Sequence, residues 1–232
     1  MSAGRSVAPA SAVPEQTLGL LGIGVEPSGV VLGRDSAGRA VLVRLFGPEP
    51  MTVAFVGGWW ALRVLVFRCL AHNAGVTVRA YDPADATRSG ALADATHWLA
   101  LNGLSSRAER VTLAHPGGVP RPATALRPLI EAHDLGPTAP AGPPPLGPWR
   151  TRLTVLRQVT PAVLPLLAAA DVLIVQRLPE PEATMLGSAL GVRGDLVSRL
   201  PAMDDEMLAA FGAGSVRYMW LTPTPIERHL FG

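Results

Sequence analysis

The chain has 232 residues, 48% of them apolar and 16% charged, with a formal net charge of +2. That length suits one domain, or one domain with a small appendage, and supplies enough apolar material for a core. The near-balanced charge, with no basic stripe in the residue order, argues against direct nucleic-acid binding. The 20 basic residues are all arginine, so a Schiff base, a lysine general base and a P-loop lysine are all unavailable within the chain.

The opening MSAGRSVAPASAVPEQT (1–17) is small, polar and Pro-containing, the composition of a disordered tail. Residues 18–232 are expected to form a single α/β domain. LGLLGIGV (18–25) is too short and Gly-rich for a signal peptide. Residues 28–46, SGVVLGRDSAGRAVLVRLF, place two β-rich runs around a turn built on Asp35, Ser36 and Gly38, which predicts a β-hairpin. The strand Thr52–Val56 follows, then Gly57-Gly58 and a helix from about Trp59 to His72 that is apolar nearly all round. Asn73-Ala74-Gly75 stops that helix and leads into a second strand ending at Tyr81-Asp82-Pro83. Strand, helix and strand within about 30 residues predict a parallel βαβ unit.

Residues 90–103 predict a helix and Arg110–Ala114 a short strand before His115. A Pro-rich insertion occupies 116–149, in which ATALRPLIEAHDL reads as a short helix and 137–148 offers a polyproline-type ligand or a plain excursion. Residues 150–160 are expected as a strand, 161–170 as a short helix with Pro161 in its first turn, and 171–178 as the most buried strand. Helices are expected at 181–191 and 203–212, and Ser215–Leu221 is expected as the last strand. Asp204-Asp205-Glu206 then fall at a helix start, as do Glu180 and Glu182, where the helix dipole explains them. The predicted fold is a doubly wound, mainly parallel α/β sheet of three layers, preceded by the hairpin. The longest apolar run, 163–175, contains Pro165 and Asp171 and falls short of the ~20 residues needed to cross a bilayer. Membrane contact is therefore expected only through a partner, and the single cysteine, Cys69, in an apolar helix, suits an inert thiol in a cytoplasmic setting.

Ligands in open α/β sheets sit beyond the carboxyl ends of the strands. Those ends offer Gly57-Gly58, Asp82, His115 and Gln176-Arg177. A P-loop needs GxxxxGK[ST], and from Gly57 the chain reads GGWWALRV. Leu62, Arg63 and Val64 stand where glycine, lysine and the magnesium-binding hydroxyl belong. GxGxxG fares no better, since it needs glycine at Trp59 and Leu62, although Asp82 falls where a ribose-binding acid would. The five histidines show no helical metal-site spacing and GxSxG is absent. No cofactor and no metal are therefore expected, and no catalytic residue is assigned.

The order of elements and four phrases resemble the additional-strand P-loop ATPases of the FtsK/HerA class, which include DNA translocases and type VII secretion ATPases. VLGRDSAGRAVLVRL is similar to the turn and strand before the Walker A loop. TVAFVGGWWALRVLVFRCL occupies the Walker A strand, loop and helix, and ADVLIVQRL the Walker B strand. VRYMWLTPTPIERHL resembles the final strand and tail. Where Walker B should end in acidic residues, Gln176-Arg177 stand instead. The resemblance, with these departures, implies a pseudo-ATPase. It would be a P-loop-like domain that does not hydrolyse and serves as scaffold or regulatory partner of a secretion or translocation ATPase, in an actinobacterial type VII secretion or related translocation apparatus. Trp59 and Trp60 would fill the nucleotide's space or form a contact surface. Two other readings stay open: a Rossmann-like enzyme or sensor binding a nucleotide or small ligand near Gly57, Asp82 and Gln176, and a structural subunit of a homo-oligomer.

Overall fold

The computed structural model describes residues 29–79, 97–104, 110–114, 121–134, 145–192, 194–212 and 214–231. The expected N-terminal tail, Asp82 and His115 lie outside these residues. The hairpin forms as β1 (Gly29–Arg34) and β2 (Ala40–Arg44). Its turn is set by Asp35, whose Oδ1 accepts the N–H groups of Ala37 and Arg39 at 2.9 Å each, while Gly38 takes a φ of 75°. Hydrogen bonds from the Arg39 backbone and side chain hold the Asp35 carboxyl below the usual carboxylate range.

β3 (Met51–Val56) runs into α1 (Trp59–Ala71), and β4 (Gly75–Arg79) follows. Asn73, at a φ of 65°, makes the left-handed residue that ends α1. Residues 97–100 are helical and continue as a 3-10 turn at Leu101–Leu104 before β5 (Val111–Leu113). Leu129–Asp134 is β6, a strand, in place of the helix expected over that stretch. β7 (Arg150–Leu156), a 3-10 turn at Pro161–Val163, α2 (Leu164–Ala168), β8 (Val172–Val175), α3 (Glu180–Leu190) and the single turn α4 (Gly194–Val197) come next. Met207–Gly212 forms β9, again a strand where a helix was expected, then β10 (Ser215–Trp220) and α5 (Pro225–Phe231) close the fold.

All ten strands join one sheet in the order β2-β1-β10-β9-β8-β3-β7-β6-β4-β5. The six from β8 to β5 run parallel, as predicted. β9, β10, β1 and β2 add on antiparallel at the β8 side, so the hairpin is an extension of the same sheet. Two apolar layers cover the two faces. On one, Val53, Phe55, Val76, Ile130, Val155 and Ile174 pack with α1, Trp98 and Phe231. On the other, Ala54, Val56, Leu173, Val175 and Phe211 pack with Leu167, Leu186 and Leu200. This is the doubly wound, three-layer α/β arrangement, of the kind P-loop NTPase-like domains have.

Both misplaced helices have physical causes. In β6 every residue is buried, including Glu131, His133 and Asp134. Distant groups satisfy its two acids: Arg150 bonds Glu131 at 2.9 Å, and the Trp98 indole N–H bonds Asp134 at 2.9 Å, while the buried His133 Nε2 has no partner among the described residues. His133 stays neutral, since burial first, then the charges of Arg152 and Arg79, push its pKa down to about 4. In β9, MLAAFG has strong helix formers, but pairing on both sides, with β8 and β10, overrides propensity. Asp204 and Asp205 therefore lie in the turn before a strand, where the Asp204 carbonyl accepts the Met207 N–H at 2.9 Å.

Candidate functional site

β3 is the topological switch point. The chain leaves it through α1 toward β4, whereas β7 and β8 flank it on opposite sides. The strand ends at Val56 and the helix starts at Trp59, so Gly57 and Gly58 are the whole connection. A loop that wraps an anion needs several successive N–H groups pointing inward. Two residues cannot supply such a cradle.

Gln176, directly after β8, fills the space in front of this turn. Its Oε1 accepts the Gly58 N–H at 2.6 Å, and its Nε2 donates to the Asp205 carbonyl at 2.9 Å. The amide lies so close that a Cβ on Gly57 would meet Oε1 at 2.6 Å. A side chain at 57 would therefore have to push the end of Gln176 aside. Gly57 itself donates to the Leu156 carbonyl at 3.1 Å.

The expected site residues separate into two groups. Trp59 joins the turn: its ring meets Trp98 edge-on at 5.3 Å and His97 at 5.7 Å, and the Arg157 guanidinium lies 5.6 Å from its centroid. The Trp59 indole N–H is buried and has no hydrogen-bond partner among the described residues. Trp60 packs half-buried on the α1 face of the core. Arg63, at the P-loop lysine position, turns away from the strand ends; its guanidinium lies 5.2 Å from the Phe231 ring centroid. Arg177 also points elsewhere and pairs at 3.1 Å with Asp205, both side chains largely exposed.

The structure adds residues that the sequence did not single out. Arg157, after β7, reaches the Gly57 carbonyl at 3.4 Å and the Asp134 carboxylate at 3.5 Å. Trp98 holds the same carboxylate. Arg157 carries a strand-end signal that was lost because β7 was expected to run on to 160. Asp134 and Trp98 carried none, since the strand and the indole that join them are far apart in sequence. Turn, amide and aromatic cluster are joined to one another around the N-terminus of α1.

Among the described residues no three His, Cys, Asp or Glu side chains gather as a metal site. Cys69 is fully buried in α1, and burial pushes its thiol up to about 12. No described helix is long and apolar enough to cross a membrane.

No protein-family model and no curated protein matches the chain. Among solved structures it is similar to the DNA-packaging ATPase B204 of Sulfolobus turreted icosahedral virus, with 8% identity, a TM-score of 0.48 and coverage of 75% of this chain and 98% of that one. B204 of Sulfolobus turreted icosahedral virus 2, in complex with AMPPCP, gives 9% identity, a TM-score of 0.48 and coverage of 76% and 99%. The cytoplasmic domain of the Thermomonospora curvata type VII secretion ATPase EccC gives 10% identity, a TM-score of 0.47 and coverage of 89% of this chain and 31% of that one. At such identities these are likenesses of fold alone.

Proposed function

We propose that the chain is a P-loop-like domain that does not hydrolyse nucleotide and acts as a scaffold or regulatory partner of a translocation ATPase, of the type VII secretion kind or a related one. The observation that supports it most is the 2.6 Å bond between the Gln176 amide and Gly58. A phosphate at this turn would have to displace a side chain that already satisfies the backbone donor. Displacing one hydrogen bond costs only about 1 kcal/mol, so the chemistry of the remaining positions matters more. Arg63 turns toward Phe231, Val64 has no hydroxyl, and Gln176-Arg177 offers no carboxylate to magnesium. Among the described residues, the cation at the turn is Arg157, which is engaged with Asp134 and stacked on Trp59.

Phosphate release from Mg-ATP by the purified chain tests the first half of this reading. The expected result is no release above the rate without protein, and steady turnover abolished by Gly58→Trp would overturn it. The second half is tested by adding the chain to the purified translocation ATPase of the same cell. A changed ATPase rate or a stable complex is expected; neither, at saturating chain, counts against the partner role.

A further inference from the structure

The two edges of the sheet are finished differently. At the β5 edge, Asn102 closes the strand: its Nδ2 donates to the Val111 carbonyl and its Oδ1 accepts the Val111 N–H, both at 2.8 Å. That edge is three residues long and has no open backbone at Val111. The β2 edge is five residues long, and among the described residues nothing pairs with its outer side. An open edge is a template for another strand, and proteins that stay monomeric usually blunt it. Here the sheet face beside it is apolar as well. Val31 and Leu42 are register partners, 43% and 54% exposed, and Trp220, 38% exposed, stands on the same side opposite Arg34.

The sequence of β2 is close to self-complementary. In an antiparallel pair centred on Leu42, Leu42 meets its own copy, Val41 meets Val43, and Arg44 meets Ala40. Like charges directly opposite each other are destabilising, and this register avoids them. Arg39 is already neutralised by Asp35 at 2.8 Å. On the inner face Val41 and Val43 extend the buried core, and on the outer face the two copies of Leu42 meet, with Val31 and then Trp220 one and two strands behind on each side. We propose that β2 pairs with β2 of a second copy about a two-fold axis through Leu42, joining two sheets edge to edge. This contact lies at the far end of the sheet from the Gly57 turn, so it stands or falls separately from the proposed loss of hydrolysis.

Sedimentation equilibrium of the full chain tests it, up to roughly 100 µM, where even a micromolar interface is filled. A dimer is expected, reduced to monomer by Leu42→Glu, which sits on an exposed position and leaves the core intact. Ile226→Glu, on exposed α5 surface, is expected to leave the dimer unchanged. Amide exchange at 40–44 should slow as concentration rises in the wild type and not in L42E. A wild-type monomer across this range, or a dimer that L42E leaves unchanged, would overturn the proposal.

Discussion

The parallel and antiparallel halves of the sheet are held in different ways. From β8 to β5 the strands are joined by long parallel ladders and covered by apolar side chains on both faces. The hairpin, by contrast, meets β10 through one register pair, Arg34 with Trp220, and leaves Val31, Leu42 and Trp220 exposed on one face. Its inner face joins the core through Val30, Leu32, Val41 and Val43, and a polar clasp is added beside it. Arg68 of α1 bonds the carbonyls of Val31, Leu32 and Thr222 at 3.0, 2.7 and 2.9 Å. The same guanidinium grips Glu227 of α5 at 2.7 and 2.8 Å. Burial alone would raise the Glu227 carboxyl, but hydrogen bonds from Arg68 and the Thr224 backbone hold it below its usual value. Cohesion spread over many apolar contacts tolerates single changes; a buried ion pair that loses one partner does not.

Breaking that clasp has the largest expected effect. Arg68→Ala leaves Glu227, 3% exposed, as a buried charge without its partner, so urea unfolding should show a loss of about 3–5 kcal/mol. Replacing both residues, as Arg68→Met with Glu227→Met, should lose less than the two single changes summed. A single loss below ~1 kcal/mol would mean that the clasp adds little to the hold of the hairpin's apolar inner face.

That division also explains what could be read from the sequence. The parallel half announces itself through apolar runs closed by glycine or proline, such as TVAFVGG and DVLIV, and the hairpin through GRDSAGR. β6 was hidden because LIEAHD carries three polar residues, and the partners of Glu131 and Asp134, namely Arg150, Trp98 and Arg157, come from distant segments. β9 was hidden because its helix-forming residues are set by neighbours on both sides. At the site, the residue types of the Gly57 turn were legible. The bond from Gln176 was not, because it spans 118 positions and depends on β3 lying next to β8.

A smaller effect is expected inside the parallel half, at β3 and β8. Gly57→Ala sets a Cβ 2.6 Å from the Gln176 Oε1 and 3.1 Å from the Phe55 ring, and overpacking of this kind costs about 1–3 kcal/mol. Gln176→Ala should cost about 1 kcal/mol by freeing the Gly58 N–H. Because the alanine at 57 chiefly displaces the amide, the double variant should lose at least ~0.5 kcal/mol less than the sum. Strict additivity would show that the amide does not press on the turn.

The parallel half has its own polar weakness in β6. His133 titrates near 4 in the folded chain and near 6.5 when unfolded. As pH falls from about 6.5 to 4, the unfolded state takes up the proton first, so stability should drop by on the order of 2–3 kcal/mol. Glu227, with its pKa depressed on folding, contributes stability above its unfolded value and loses it as pH falls further through the folded one. His133→Gln should flatten the upper part of this decline and leave the lower part in place.

The most direct test of the turn itself is a thermal-shift titration with ATP, ADP and GTP, each with and without magnesium, followed by tryptophan fluorescence through Trp59. A ligand that binds only the folded state stabilises it by about 2.7 kcal/mol at a hundredfold excess over Kd. With Gln176 closed on Gly58 and no lysine in the chain, the expected result is an unchanged midpoint at millimolar nucleotide. A clear rise, above all one that needs magnesium, would contradict the closed turn and make this chain a nucleotide sensor.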